Sequence, residues 1–95
     1  MNKNSKPRNT SRFAYIQLKE INGERQYDHK MVRMLPKNVT PEGYADTVAK
    51  GFYPGKPDKD DDYYYFQAGE VAVKVKIVSL ISEEEYDIMS KYLNS

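Results

Sequence analysis

Three groups of side chains in this chain have the types and spacing for chemistry. They are His29, the acidic run Asp58-Lys59-Asp60-Asp61-Asp62, and the tyrosines and lysines at Tyr63, Tyr65, Lys74 and Lys76. A catalytic histidine needs a nucleophile or carboxylate within hydrogen-bond reach. No motif around His29 supplies one, so it is expected to be structural, held by a hydrogen bond near a sheet edge. One histidine and no cysteine leave too few ligands for a zinc site, and also exclude disulfides and thiol chemistry. No cofactor is expected.

The acidic run invites comparison with a calcium loop. Asp58, Asp60 and Asp62 have the spacing of the first three EF-hand ligands, but Tyr63 stands where the sharp-turn glycine belongs and Gly69 where the bidentate glutamate belongs. A solvated, charge-extended loop from Pro54 to Asp62 is therefore expected. The chain also lacks a glycine-rich phosphate loop, a nucleophile elbow and a pair of catalytic carboxylates, so the sequence reads as non-enzymatic.

The elements that must position these residues follow from periodicity. Asn22-Gly23 is a strong hairpin signal and predicts a turn between strands spanning Phe13 to Leu35. With Asn22-Gly23 as the two-residue loop, Ile21 faces Glu24. Leu18, Ile16 and Ala14 then lie opposite Tyr27, His29 and Met31 on the core side. Thr40-Pro41-Glu42 starts a helix with a hydroxyl cap, proline in the first turn and an acid near the dipole's positive end. Ala45, Val48, Ala49 and Phe52 form its apolar stripe. A second hairpin turns at Ala68-Gly69, matching Tyr64 with Val73 and Phe66 with Val71. Val71, Val73, Val75 and Ile77 then alternate on one face. Ser82 and Glu85 form a capping box for a closing helix lined by Tyr86, Met89 and Leu93. The expected fold is α+β, order ββαββα: a four-stranded antiparallel sheet of two hairpins with both helices on one face.

That arrangement leaves the other sheet face open, carrying Tyr15, Lys30, Tyr63, Tyr65, Lys74 and Lys76, with Phe13 and Lys19 among them. An open aromatic face suits a protein partner or a second copy of the chain. The same residues suit single-stranded nucleic acid, since rings stack on bases while lysines follow phosphates. Charge weighs against the latter. Lys3, Lys6, Arg8 and Arg12 give the first twelve residues four positive charges and no acid, leaving 11 basic against 14 acidic residues in the rest. The body is thus mildly acidic, whereas nonspecific nucleic-acid affinity needs a positive field. A protein partner or homodimer is expected before nucleic acid, and no small-molecule substrate is evident.

Ninety-five residues allow one domain. It is expected over residues 12–95, preceded by a disordered basic arm over residues 1–11, whose polar composition cannot offset ordering entropy. No apolar run approaches the ~20 residues that span a bilayer, and no apolar segment follows the charged start as in a secretory signal. A soluble, cytoplasmic protein is expected.

Overall fold

The computed structural model describes residues 11–93, so the expected basic arm, apart from Ser11, lies outside the described residues. The fold is α+β. Seven elements follow in order: β1 (Arg12–Asn22), β2 (Arg25–Leu35), α1 (Pro41–Lys50), β3 (Asp58–Asp60), β4 (Tyr63–Phe66), β5 (Val71–Ile81) and α2 (Glu83–Leu93). The strands form one antiparallel sheet ordered β2-β1-β5-β4-β3.

The core lies on one face, where Ala14, Ile16, Leu18, Leu35, Tyr64, Phe66, Val71 and Val73 bury against Ala45 and Ala49 of α1. Val48 and Phe52 pack at its margin, completing the stripe expected of this helix. Thr40 caps α1 by accepting from the Gly43 amide at 3.0 Å, and Tyr64 ties the sheet to the helix by donating to Asp46 at 2.6 Å. Arg12 does not belong to a free basic arm. Its guanidinium donates to the carbonyls of Val39 and Pro36, both at 2.9 Å, and so fixes the lead-in to α1.

Four expectations are corrected. The sheet has five strands, not four, because Asp58–Asp60 pairs along β4 as a short edge strand. Alternation sorts the side chains of so acidic a segment: Lys59 turns to the Tyr64 side, its ammonium 5.0 Å from that ring centroid, Asp58 and Asp60 turn to the other, and all three stay exposed. The first hairpin turns one residue later than expected. Asn22 pairs with Arg25, and the loop is Gly23-Glu24. Gly23 alone takes positive φ, at 64°, which suits a turn needing left-handed backbone only at its first central position. Leu18 therefore faces His29 and Ile16 faces Met31, although every side chain keeps its expected face.

The third correction lies in β5. Gln17 pairs with Ile77 but Leu18 with Val75, so Lys76 is an extra, bulged residue. The bulge moves Ile77 out of the core alternation, leaves it largely exposed, and hands the core side to Val78. Fourth, the helices lie on opposite faces. Tyr86 of α2 packs on Phe13 with ring centroids 4.5 Å apart, and Phe13 alternates with core-facing Ala14. With α1 occupying the core face, Phe13 and Val32 are large apolar groups on the other side that need cover, and α2 supplies it from above β1 and β2. The capping box forms as expected: the Ser82 amide donates to Glu85 at 2.8 Å, and the Glu85 amide to Ser82 at 3.0 Å.

Candidate protein-interaction face

Because α2 covers only the Phe13 end, most of that second sheet face remains open. Two rows of side chains cross it. The first reads Gln26, Ile21, Ala72, Tyr65, Asp58 from β2 to β3. The second reads Asp28, Lys19, Lys74, Tyr63, Asp60. Tyr63 and Tyr65 stand two residues apart on β4 with ring centroids 6.0 Å apart, and the Lys74 ammonium lies 5.4 Å from the Tyr63 ring centroid. Lys19 and Lys74 are direct cross-strand neighbours, a like-charge pairing that costs stability.

The tyrosines line one side of a shallow cleft of about 550 Å³, with Ala72 and Ile21 beside Tyr65 and Gly23, Gly69 and Glu70 at the rim. Two turns build this rim. Gln67, Ala68 and Gly69 all take positive φ, at 54°, 56° and 88°, and the Gly69 amide donates to Phe66 at 3.0 Å. The turn is wider than the two-residue loop expected, yet the Tyr64–Val73 and Phe66–Val71 pairings are those expected. The Gly23 amide donates to Glu70 at 3.4 Å, linking the two hairpin ends beside the cleft.

The structure brings Tyr63, Tyr65 and Lys74 together. Lys76, bulged from β5, reaches across β1 to Asp28, 3.6 Å away. Lys30 lies opposite Gln17 one row beyond Lys19. Tyr15 is one row further again, opposite Val32 and Ser79, with its hydroxyl donating to Gln17 at 2.9 Å. It shares the face but not the cleft. Phe13 is buried under α2 and leaves the open surface. Asp58 and Asp60, expected in a solvated loop, instead stand directly opposite Tyr65 and Tyr63.

A second polar cluster lies on the core face, built on a residue the sequence reading passed over. Glu20, with its side chain only 4% exposed, lies 2.7 Å from His29 Nε2. It also accepts from the Tyr53 hydroxyl, and from Asn22 at 3.4 Å. Burial pushes the Glu20 carboxyl up, but the hydrogen bonds from Tyr53, His29 and Asn22 outweigh it and hold the group below its usual value of 4.5. Period-two spacing was the available signal, since Glu20 continues the core-facing series Ala14, Ile16, Leu18. The ring of His29 packs against Phe52, centroids 4.8 Å apart. The cluster plugs the end of the core and anchors His29 on edge strand β2.

Comparison with protein-family models, curated proteins and solved structures yields no match. Among the described residues no group of three or more acidic or histidine side chains is placed to hold a metal, and no helix is long and apolar enough to cross a membrane.

Proposed function

We propose that this chain is a small, non-enzymatic interaction module, set in the cytoplasm, that docks a protein partner on its open sheet face. The observation that carries this reading is the Tyr63–Tyr65 pair. Two half-buried rings wall an apolar-floored cleft, with lysines on one side and aspartates on the other. Aromatic rings around a small pocket, bordered by charge, have the anatomy of a binding hot spot. Nucleic acid is the weaker reading, because Asp60 and Asp58 stand beside the very rings that would stack on bases. Carboxylates there would repel the phosphates.

The test compares the wild type with the Tyr63→Ala/Tyr65→Ala variant as bait in extracts of the native host, with and without nuclease. The expected result is loss of the captured protein from the variant, with little effect of nuclease or added salt. Capture that is nuclease-sensitive and falls steeply with salt would transfer the face to nucleic acid. A folded variant that retains every partner would remove the face from consideration.

A further inference from the structure

The second row has a property that a face for unrelated partners does not require. Read from β1 to β3 it runs Lys19, Lys74, Tyr63, Asp60: two cations, an aromatic ring and an anion. Turned over upon itself about the boundary between β4 and β5, it meets its own complement. Lys19 comes over Asp60 of the copy, Lys74 over the copy's Tyr63, and each contact occurs twice. In the first row the same operation lays Ala72 over the copy's Tyr65, with Ile21 at the rim beside the copy's Asp58. From this self-complementarity we propose that the partner is a second copy of the chain, docked face to face about a two-fold axis that runs along the strands between β4 and β5.

The proposal rests on the open face being a docking surface, and it names the occupant. Packed sheets lie ~10 Å apart, so an opposed lysine and aspartate meet between the layers. Such aligned packing is an ordinary way for two sheets to stack. An isologous contact requires that one patch serve both sides, which is what the row provides. It also brings a second anion to Lys19, whose own-sheet neighbour on β2 is Asp28, and a second ring to Lys74, which already lies by Tyr63.

Sterics agree. Helix α2 lies on β1 and β2 at the Phe13 end and stands up from the open face. The two-fold carries it to the side occupied by the partner's β3 and β4. Those strands are three and four residues long, against 11 for β1, and register with the other end of the sheet. Among the described residues, the helix therefore enters a region beyond the ends of the partner's β3 and β4. The overlapping rows cover a patch only about four strands wide and two rows deep, at the small end of specific interfaces, so the dimer should be weak, with a Kd on the order of 100 µM.

The test is sedimentation velocity across a concentration series, with circular dichroism confirming that each variant is folded. Lys19→Asp alone sets a carboxylate against the native Asp60 at both symmetric contacts. Asp60→Lys alone likewise sets an ammonium against the native Lys19 at both. Each should weaken the dimer by at least ~10-fold, because opposed like charges are strongly penalised. In an equimolar mixture of the two variants, the introduced acid meets the introduced base. The native Asp60 of the first variant then meets the native Lys19 of the second, so the mixture should recover dimers that neither variant forms alone. A wild type that stays monomeric to about 1 mM, well above the expected Kd, would overturn the proposal, as would single variants that dimerise normally or a mixture that fails to recover. A monomeric wild type whose Tyr63/Tyr65-dependent capture of another protein persists would sink the dimer and leave the docking face standing. A folded Tyr63→Ala/Tyr65→Ala variant that loses no interaction would sink both.

Discussion

Replacing Glu20 by leucine should destabilise the domain although leucine is the more apolar residue, and removing its partners as well should restore most of what is lost. Glu20 accepts from His29, Tyr53 and Asn22 on the core face. Glu20→Leu leaves the first two donors without their acceptor. Leaving a buried hydrogen-bonding group without its partner costs about 1–3 kcal/mol, more where the bond was to a charged group such as this carboxylate. His29 is 34% exposed and recovers water in part, so the expected loss is nearer ~3 kcal/mol. For a small domain that is a large share of the total. The triple variant Glu20→Leu/His29→Leu/Tyr53→Phe replaces the whole cluster with apolar groups and should return to within about 1 kcal/mol of wild type.

Urea unfolding followed by circular dichroism reads both effects as midpoint shifts at constant slope. The cluster also has a pH signature. The folded Glu20 carboxyl titrates below its usual 4.5, so its contribution is complete above that value and fades as pH falls through it toward the folded value. Glu20→Gln should flatten that part of the acid limb. A single leucine variant as stable as wild type, or a triple variant less stable than the single, would refute the reasoning.

Three further substitutions probe backbone and tyrosine chemistry. Ala68→Gly should stabilise by about 1 kcal/mol in thermal unfolding and Gly69→Ala should destabilise by a similar amount, since both positions hold positive φ that costs an L-residue roughly that much. Tyr64, hydrogen-bonded to Asp46 and buried, has its hydroxyl pushed up to about 12 from the usual 10. Its contribution is therefore present below pH 10 and lost as pH rises toward 12, a loss that Tyr64→Phe should abolish in alkaline unfolding curves.

Much of this fold is written in the chain, and the misses share a cause. The pairing of Tyr64 with Val73 was legible because a turn signal at Ala68-Gly69 sets an aromatic run against the alternating β-branched residues of β5. The side-chain faces of β1 and β2 were legible from the Asn22-Gly23 turn signal, and survived a turn displaced by one residue because moving both strands together preserves parity. The bulge at Lys76 was not legible. Val71 to Ile77 alternates without a break, and only the long pairing with β1, continuing to Ile81, requires an extra residue there. An apolar stripe on α2 says that the helix must dock, not on which face. Likewise Asp58-Lys59-Asp60 reads as a loop by composition, and becomes a strand because β4 would otherwise leave its outer backbone groups unpaired. At the site, alternation sufficed to put Tyr63, Tyr65 and Lys74 on one face. The carboxylates opposite the tyrosines depended on the missed strand.

The two edges of the sheet bear on why association should use the face. A free edge is a template for pairing with another chain, and proteins blunt it with charge or by keeping it short. Here β3 is three residues long and bears Asp58, Lys59 and Asp60. The opposite edge, β2, is 11 residues long, yet it carries Arg25, Asp28, Lys30 and Arg33, so a second chain laid against it would meet a charge every two or three residues. Continuing the sheet is thus discouraged on both sides. The core face is closed by α1 and its packed aromatics. While Ile77 and Leu80 of β5 are exposed elsewhere on the sheet, the rows through Tyr63 and Tyr65 keep apolar and aromatic surface on it without cover from a helix. Burying it would compensate for the strained Gln67-Ala68 turn and the apposed Lys19 and Lys74, two features that cost the isolated domain stability.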